Sequence, residues 1–177
     1  MKSFIEQAQA YADCHQTPIS RYTHFIGVPL IIFSLMVFFG FLHLVIPGIM
    51  NITLAGIATV ALLCYYYYLN WRLALALTVI LFVMLGLAHL VSRYGPDSTS
   101  LWVFIITFVL GWIFQLVGHF FEGKRAAFMN NFWQVLIAPM FLTAELFFLT
   151  GHMHELKREI EGEPDFLRTP IEPDNKL

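Results

Sequence analysis

The chain has 177 residues, 58% of them hydrophobic and 12% charged, with 18 Phe, whereas a soluble domain is usually near a quarter charged. That balance excludes an ordinary soluble globule and predicts one membrane-embedded domain. A formal net charge of -2 offers no basic face to neutralise phosphates, which excludes nucleic acid as a partner.

In chain order, residues 2–16 are polar enough to be wet, yet Phe4, Ala8, Tyr11 and His15 recur at helical spacing, which predicts a short amphipathic helix at the membrane interface. Glu6 and Asp13 precede any apolar run, unlike the basic, then apolar, layout of a cleaved signal peptide. Cys14 and Cys64 lie in different segments and read as free thiols. Thr17-Pro18 reads as an N-cap followed by proline in the first turn. That helix carries His24 into a first apolar span, 25–46, with Pro29 near its entry. Pro47-Gly48 signals a tight turn before a second span, 49–69, which ends in Tyr65 to Tyr68, residues at home among headgroups. After a short turn at Asn70-Trp71-Arg72, a third span covers 73–91. Gly95-Pro96-Asp97 then marks a loop before a fourth span, 101–121.

A fifth apolar stretch, 132–149, contains Pro139 and Glu145. Each half is too short to cross a hydrocarbon core of about 30 Å, which needs about 20 helical residues. With the N-terminus inside and four crossings, Lys2, Arg21, Arg72, Lys124, Arg125, Lys157, Arg158, Arg168 and Lys176 fall on the inner side and only Arg93 on the outer. A fifth crossing would erase that bias, so the positive-inside rule favours a segment that returns to the inner face. The expected fold is therefore all-α: a bundle of four transmembrane helices plus a re-entrant or interfacial segment. Residues 1–150 form the membrane-embedded domain and 151–177 a polar tail. From Glu155 the tail is acidic, with Pro164, Pro170 and Pro173, and is expected to be poorly ordered. Both termini are expected on the cytoplasmic side, of the endoplasmic reticulum in a eukaryote or the inner membrane in a bacterium. No internal repeat is visible, which argues against a transporter of two inverted halves.

This topology sorts the seven histidines. His43 and His89 lie near the outer ends of spans and read as polar contacts to a neighbouring helix. His15, His24 and His119 come to the inner level from three segments distant in sequence, as do His152 and His154 in the tail. Ionisable residues at membrane depth are functional candidates, and imidazole is the commonest metal ligand. The stretch from Gly118 to Arg125 marks where apolar chain gives way to charge. His119 and Glu122 share a helical face there. Glu122 either ligates a metal, orients His119, or stands as a solvated charge. Lys124 and Arg125 are topology anchors or hold the anionic head of a lipid. Glu145 is an acceptor, a protonated acid or an anchor. His152 and His154 read as part of a wet tail.

These residues form a pattern: Tyr11-x-x-x-His15-x-x-Pro18-x-x-x-x-x-His24, then Gly118-His119-x-Phe121-Glu122 with a basic pair, then Asn131-x-x-Gln134-x-x-x-Ala138-Pro139 and Glu145. From about Phe4 to Glu145 the chain resembles the yeast-type 2-hydroxy fatty acid dioxygenase family, which breaks phytosphingosine down to odd-chain fatty acids. It departs at Thr17 and Ser20, where that family tends to carry asparagine, and at Ala126, where a proline usually follows the basic pair. The resemblance implies an Fe(II)-dependent oxygenase of fatty acid α-oxidation with His15, His24 and His119 as metal ligands. Its substrates would be a 2-hydroxy fatty acid and dioxygen. In that scheme Glu122 supports or completes the metal shell, Lys124 and Arg125 face the acid's carboxylate, and the span interior holds the acyl chain. Two rivals remain. One is a zinc-dependent membrane hydrolase; the other is a non-enzymatic lipid-binding or scaffold protein in which the histidines only hydrogen-bond. Di-iron hydroxylases and desaturases fit less well, because dense His-x-x-His-His clusters are absent.

Overall fold

A computed structural model describes residues 4–12, 17–47, 50–123 and 134–161. His15, Lys124, Arg125 and the tail beyond Glu161 lie outside the described residues. Helix α1 (Phe4–Ala12) buries Phe4, Ala8 and Tyr11, one stripe at the predicted helical spacing. Helix α2 (Pro18–Gly40) starts as the sequence predicts: Thr17 is the N-cap, its side chain accepts from the Ser20 N–H at 3.3 Å, and Pro18 opens the first turn.

The first correction follows. The apolar run expected to continue to residue 46 leaves the helix at Gly40, and residues 43–46 and 50–53 form an antiparallel hairpin, β1 (His43–Ile46) and β2 (Met50–Thr53). Its register pairs His43 with Thr53 and Leu44 with Ile52. β-branched Val45, Ile46, Ile52 and Thr53 suit extended chain on either side of the Pro47 turn. Hydropathy alone cannot separate such a ribbon from the end of a span.

Helix α3 (Leu54–Leu69) is capped by Thr53, which accepts from the Gly56 N–H. Its 16 residues give about 24 Å of helix, shorter than the predicted second span. Asn70 makes the whole corner into α4 (Trp71–Ser92): its N–H donates to Tyr66 O at 2.9 Å while Oδ1 accepts from the Arg72 and Leu73 N–H groups. Helix α5 (Ser98–Glu122) begins with a reciprocal capping box of Asp97 and Ser100 and ends at Gly123, whose φ of 67° is the left-handed conformation glycine adopts freely. Among the described residues three helices, α2, α4 and α5, are long and apolar enough to cross a membrane.

Helix α6 (Gln134–Leu149) runs without interruption through Pro139. The stretch read as re-entrant or interfacial is thus one helix, and it is enclosed by protein: every residue from Ile137 to Glu145 is buried, packed against α1, α2 and α4. Helix α7 (His154–Glu161) corrects the expectation of poor order for Glu155 to Glu161; the tail beyond lies outside the described residues. Ile160 is buried, Leu156 packs on the core, and the Gln9 side chain of α1 donates to Glu159 O at 2.7 Å.

Helix α2 is the hub, in contact with α3, α4, α5 and α6 and most extensively with α5. Small residues permit that approach, as is usual between helices in membranes. A Cβ on Gly27 would lie 2.9 Å from Gly111 O, one on Gly111 would lie 2.7 Å from Ile31 Cγ1, and one on Gly118 would collide with Thr23 Oγ1. The α2–α5 seam therefore brings the N-terminal part of α2 and the C-terminal part of α5 together, with His24 on one and His119 on the other.

Candidate functional site

Between α2, α3, α5 and α6 lies a cavity of about 330 Å³, within the range of small-molecule sites. His24, His119 and Tyr11 line it at one end, and Met36, Phe39 and Ala55 line it towards the hairpin. From His24 to Phe39 it follows about 22 Å of α2 at 1.5 Å per residue. Its walls are almost wholly aliphatic and aromatic. Near the histidines α5 contributes Trp112, Gln115 and His119; towards the hairpin the lining comes from α2 and α3.

His24 is 2% exposed, and its Nδ1 lies 2.7 Å from Ser20 O. A carbonyl can only accept, so Nδ1 carries the hydrogen and Nε2 is the lone-pair nitrogen. The His119 ring stands 4.8 Å from the His24 ring at 84°, and its Nδ1 is buried. Gly118 makes room for this pair, because a Cβ there would sit 3.1 Å from both His24 Cε1 and Nδ1. Tyr11 approaches the His24 ring edge at 6.5 Å and rests on Phe141 at 4.7 Å, carrying α1 to the same point.

Glu122 is drawn to the start of α2. Its Oε2 accepts from the Thr17 N–H at 3.1 Å and from the Thr17 hydroxyl at 2.7 Å. This clasp ties the end of α5 to the cap of α2 and fixes the turn bearing His119 beside the turn bearing His24. Thr17, at a position where the resembled family favours asparagine, supplies both the cap and the clasp.

Two imidazoles that share one ion through bonds of about 2 Å bring their ring centres to roughly 4.5–5 Å, and the His24–His119 separation of 4.8 Å falls in that interval. Among the described residues no group of three His, Cys, Asp or Glu is placed to hold a metal. The pair fits two positions of a metal shell. The third predicted ligand, His15, lies outside the described residues, as do Lys124 and Arg125.

The other predicted candidates fall elsewhere. His43 and His89 are exposed on β1 and α4, and His152 and His154 are exposed beyond α6; His152 Nδ1 is 3.0 Å from Thr150 O. Glu145, left open by sequence, is 5% exposed and forms an ion pair with Arg21, Nε to Oε1 3.3 Å, which joins α6 to α2 beside a second cavity lined by Tyr22, Phe25 and Lys157.

Two cavity residues escaped the sequence reading. Tyr66, expected among headgroups, is 0% exposed and donates to Leu136 O at 2.8 Å, whereas Tyr67 and Tyr68 are exposed. Gln115 is buried in the cavity wall; its signal in the sequence is an amide inside an apolar span four residues before His119.

A family model described as "Mpo1-like: 2-hydroxy-palmitic acid dioxygenase Mpo1-like" matches residues 1–150. The chain is 34% identical over 158 residues to a Saccharomyces cerevisiae protein named 2-hydroxy-palmitic acid dioxygenase MPO1, covering 86% of this chain and 84% of that protein. No solved structure matches.

Proposed function

The chain belongs to the Mpo1-like family, and from that premise we propose that it is a membrane-embedded, Fe(II)-dependent dioxygenase that shortens 2-hydroxy long-chain fatty acids by one carbon. The observation that carries this reading is the imidazole pair, 4.8 Å between rings, at one end of a long apolar cavity. A 2-hydroxy fatty acid has the same polarity sequence: a chelating carboxylate and hydroxyl at one end, methylenes beyond. The reaction balances with one dioxygen. The 2-hydroxy acid gives up four electrons, the C1–C2 bond breaks, and the products are the acid one carbon shorter, carbon dioxide and water. No separate reductant is needed.

In this proposal His24, His119 and, from outside the described residues, His15 hold the iron. Bound there, ferrous iron supplies the redox chemistry with dioxygen that side chains lack. The chain's own residues set the stage. Ser20 O fixes the His24 tautomer so that Nε2 presents its lone pair. The Glu122–Thr17 clasp holds the two histidine-bearing turns in register. Walls from Val28 to Phe39 receive the acyl chain and keep water from the reacting end. Lys124 and Arg125, just past Gly123 in sequence, are assigned to the carboxylate.

The proposed topology has four crossings, α2 to α5, with both termini cytoplasmic. α3 must return the chain between α2 and α4, both of which it contacts, and a helix shorter than the bilayer is accommodated by local thinning. α6 stays on the inner side, inside the protein.

The test is anaerobic reconstitution of the purified protein with Fe(II), addition of 2-hydroxyhexadecanoic acid, and then admission of dioxygen. The expected product is the acid one carbon shorter, formed only after oxygen enters. Product formed under nitrogen, or a zinc-loaded protein with equal activity, would overturn the assignment.

A further inference from the structure

The polar side chains lining the apolar cavity are nearly all committed. Tyr66 donates its hydroxyl to Leu136 O, Thr59 donates to Ala55 O at 2.8 Å, and His24 Nδ1 is held by Ser20 O. Gln115 is not. It is 8% exposed, it lines the cavity, and among the described residues its side-chain amide has no hydrogen-bond partner. An amide without a partner in an apolar cavity wall is costly, and at membrane depth such a group marks a functional position. An apolar residue of similar volume would have lined the cavity without that cost.

Its place defines what it would bind. Gln115 precedes His119 by four residues, so it lies on the same face of α5, one turn or about 6 Å deeper along the axis. A ligand entering with its carboxyl end at the histidines meets Gln115 next, and beyond it the largely apolar wall that Trp112, α2 and α3 supply. An amide is both donor and acceptor. A hydroxyl, also both, satisfies it fully, whereas a methylene satisfies neither half.

We propose that Gln115 is the specificity residue for the hydroxyl next to the carboxyl end of the substrate, and that it separates hydroxylated from plain acyl chains. This rests on the functional reading above and names the group in that site that recognises the substrate's second polar substituent. The energetic logic is that a site built to hydrogen-bond a hydroxyl rejects the analogue lacking it, because binding the analogue leaves the site's own polar group buried and unpaired.

The test is a binding measurement under nitrogen, so that no turnover intervenes. Trp112 lines the same cavity, and chain-brominated 2-hydroxyhexadecanoic and hexadecanoic acids are the probes, read by quenching of its fluorescence in the metal-loaded protein, with Trp112→Phe as the control that assigns the signal. The unmodified protein is expected to bind the hydroxy acid roughly tenfold more tightly than the plain acid. Gln115→Leu brings that ratio close to one by weakening the hydroxy acid and relieving the penalty on the plain acid, so plain-acid binding that is retained or tighter doubles as proof of folding. Gln115→Met, closer in shape, is read the same way should the leucine variant fail to fold. A ratio unchanged in both variants, or both acids weakened together in a folded variant, overturns the role of Gln115 alone. If neither acid quenches Trp112 in the unmodified protein, the functional reading falls and this inference with it.

Discussion

Helices α5 and α6 are alike in composition and opposite in surroundings. Both are overwhelmingly apolar, yet α5 shows Trp102, Leu116 and Phe120 to the outside at 61%, 59% and 82% exposure, while α6 is buried without a break from Ile137 to Glu145. In water such a difference would be written in the sequence, since an exposed face must be polar. In a bilayer lipid accepts leucine as readily as a protein core does. What separates the helices is small and polar residues: α5 carries Gly111, Gln115, Gly118 and His119 along the face it turns to α2 and the cavity, and α6 buries Thr143 and Glu145.

The sharpest break of that comparison is catalytic. His119→Ala on the inward face of α5 should lower turnover by more than about 100-fold if it holds the proposed iron, since a ligand's loss exceeds that of a supporting residue, while Phe120→Ala on the outward face leaves oxygen consumption unchanged. Equal effects at the two neighbours would dissolve the distinction between the faces.

Next comes packing. Met140 in α6 is 0% exposed, and Met140→Ala should cost about 2–3 kcal/mol, read as a fall in the unfolding midpoint in detergent. Leu116→Ala on α5 should stay within about 0.5 kcal/mol. A smaller effect is expected at the ion pair that ties α6 to α2. Arg21→Ala leaves the Glu145 carboxylate buried without that guanidinium, but Arg21 is 37% exposed, so solvent screening holds the cost to roughly 1–2 kcal/mol. Restoration by Glu145→Gln in the same chain would confirm that the stranded charge is the cause.

The smallest effect belongs to the cap of α5. Hydrogen bonds from Ser100 hold the Asp97 carboxyl below its ordinary range. A carboxylate whose folded-state pKa is depressed adds stability that is present above its unfolded pKa and is lost as pH falls through the folded one. Asp97→Asn should therefore flatten the acid limb of the stability profile slightly, and a profile unchanged by the substitution would remove Asp97 from the account.

Much of this fold is legible in the sequence because backbone chemistry writes itself locally. Thr17-Pro18 starts α2, and the expected topology sets His24 and His119 at one level, where the structure holds their rings 4.8 Å apart. What the sequence hides is contextual. The 43–53 hairpin is lost in a continuous apolar run, α6 looks like any membrane segment, and Tyr66 looks like its three neighbours although it alone among Tyr66, Tyr67 and Tyr68 is buried. Glu122 shows its spacing to His119 in the sequence but not its partner, Thr17, which lies 105 residues away. Gln115 is readable only once a cavity gives its amide a direction.

The central claim is that His24 and His119 serve one oxygen-using centre at the end of an acyl cavity. Its most direct test is dioxygen uptake against product for 2-hydroxyhexadecanoic acid in three proteins: unmodified, His24→Ala and His119→Ala. The account predicts one dioxygen consumed per one-carbon-shorter acid in the unmodified protein and neither uptake nor product in either variant. Product that accumulates without matching oxygen uptake, or persists in either histidine variant, would contradict it.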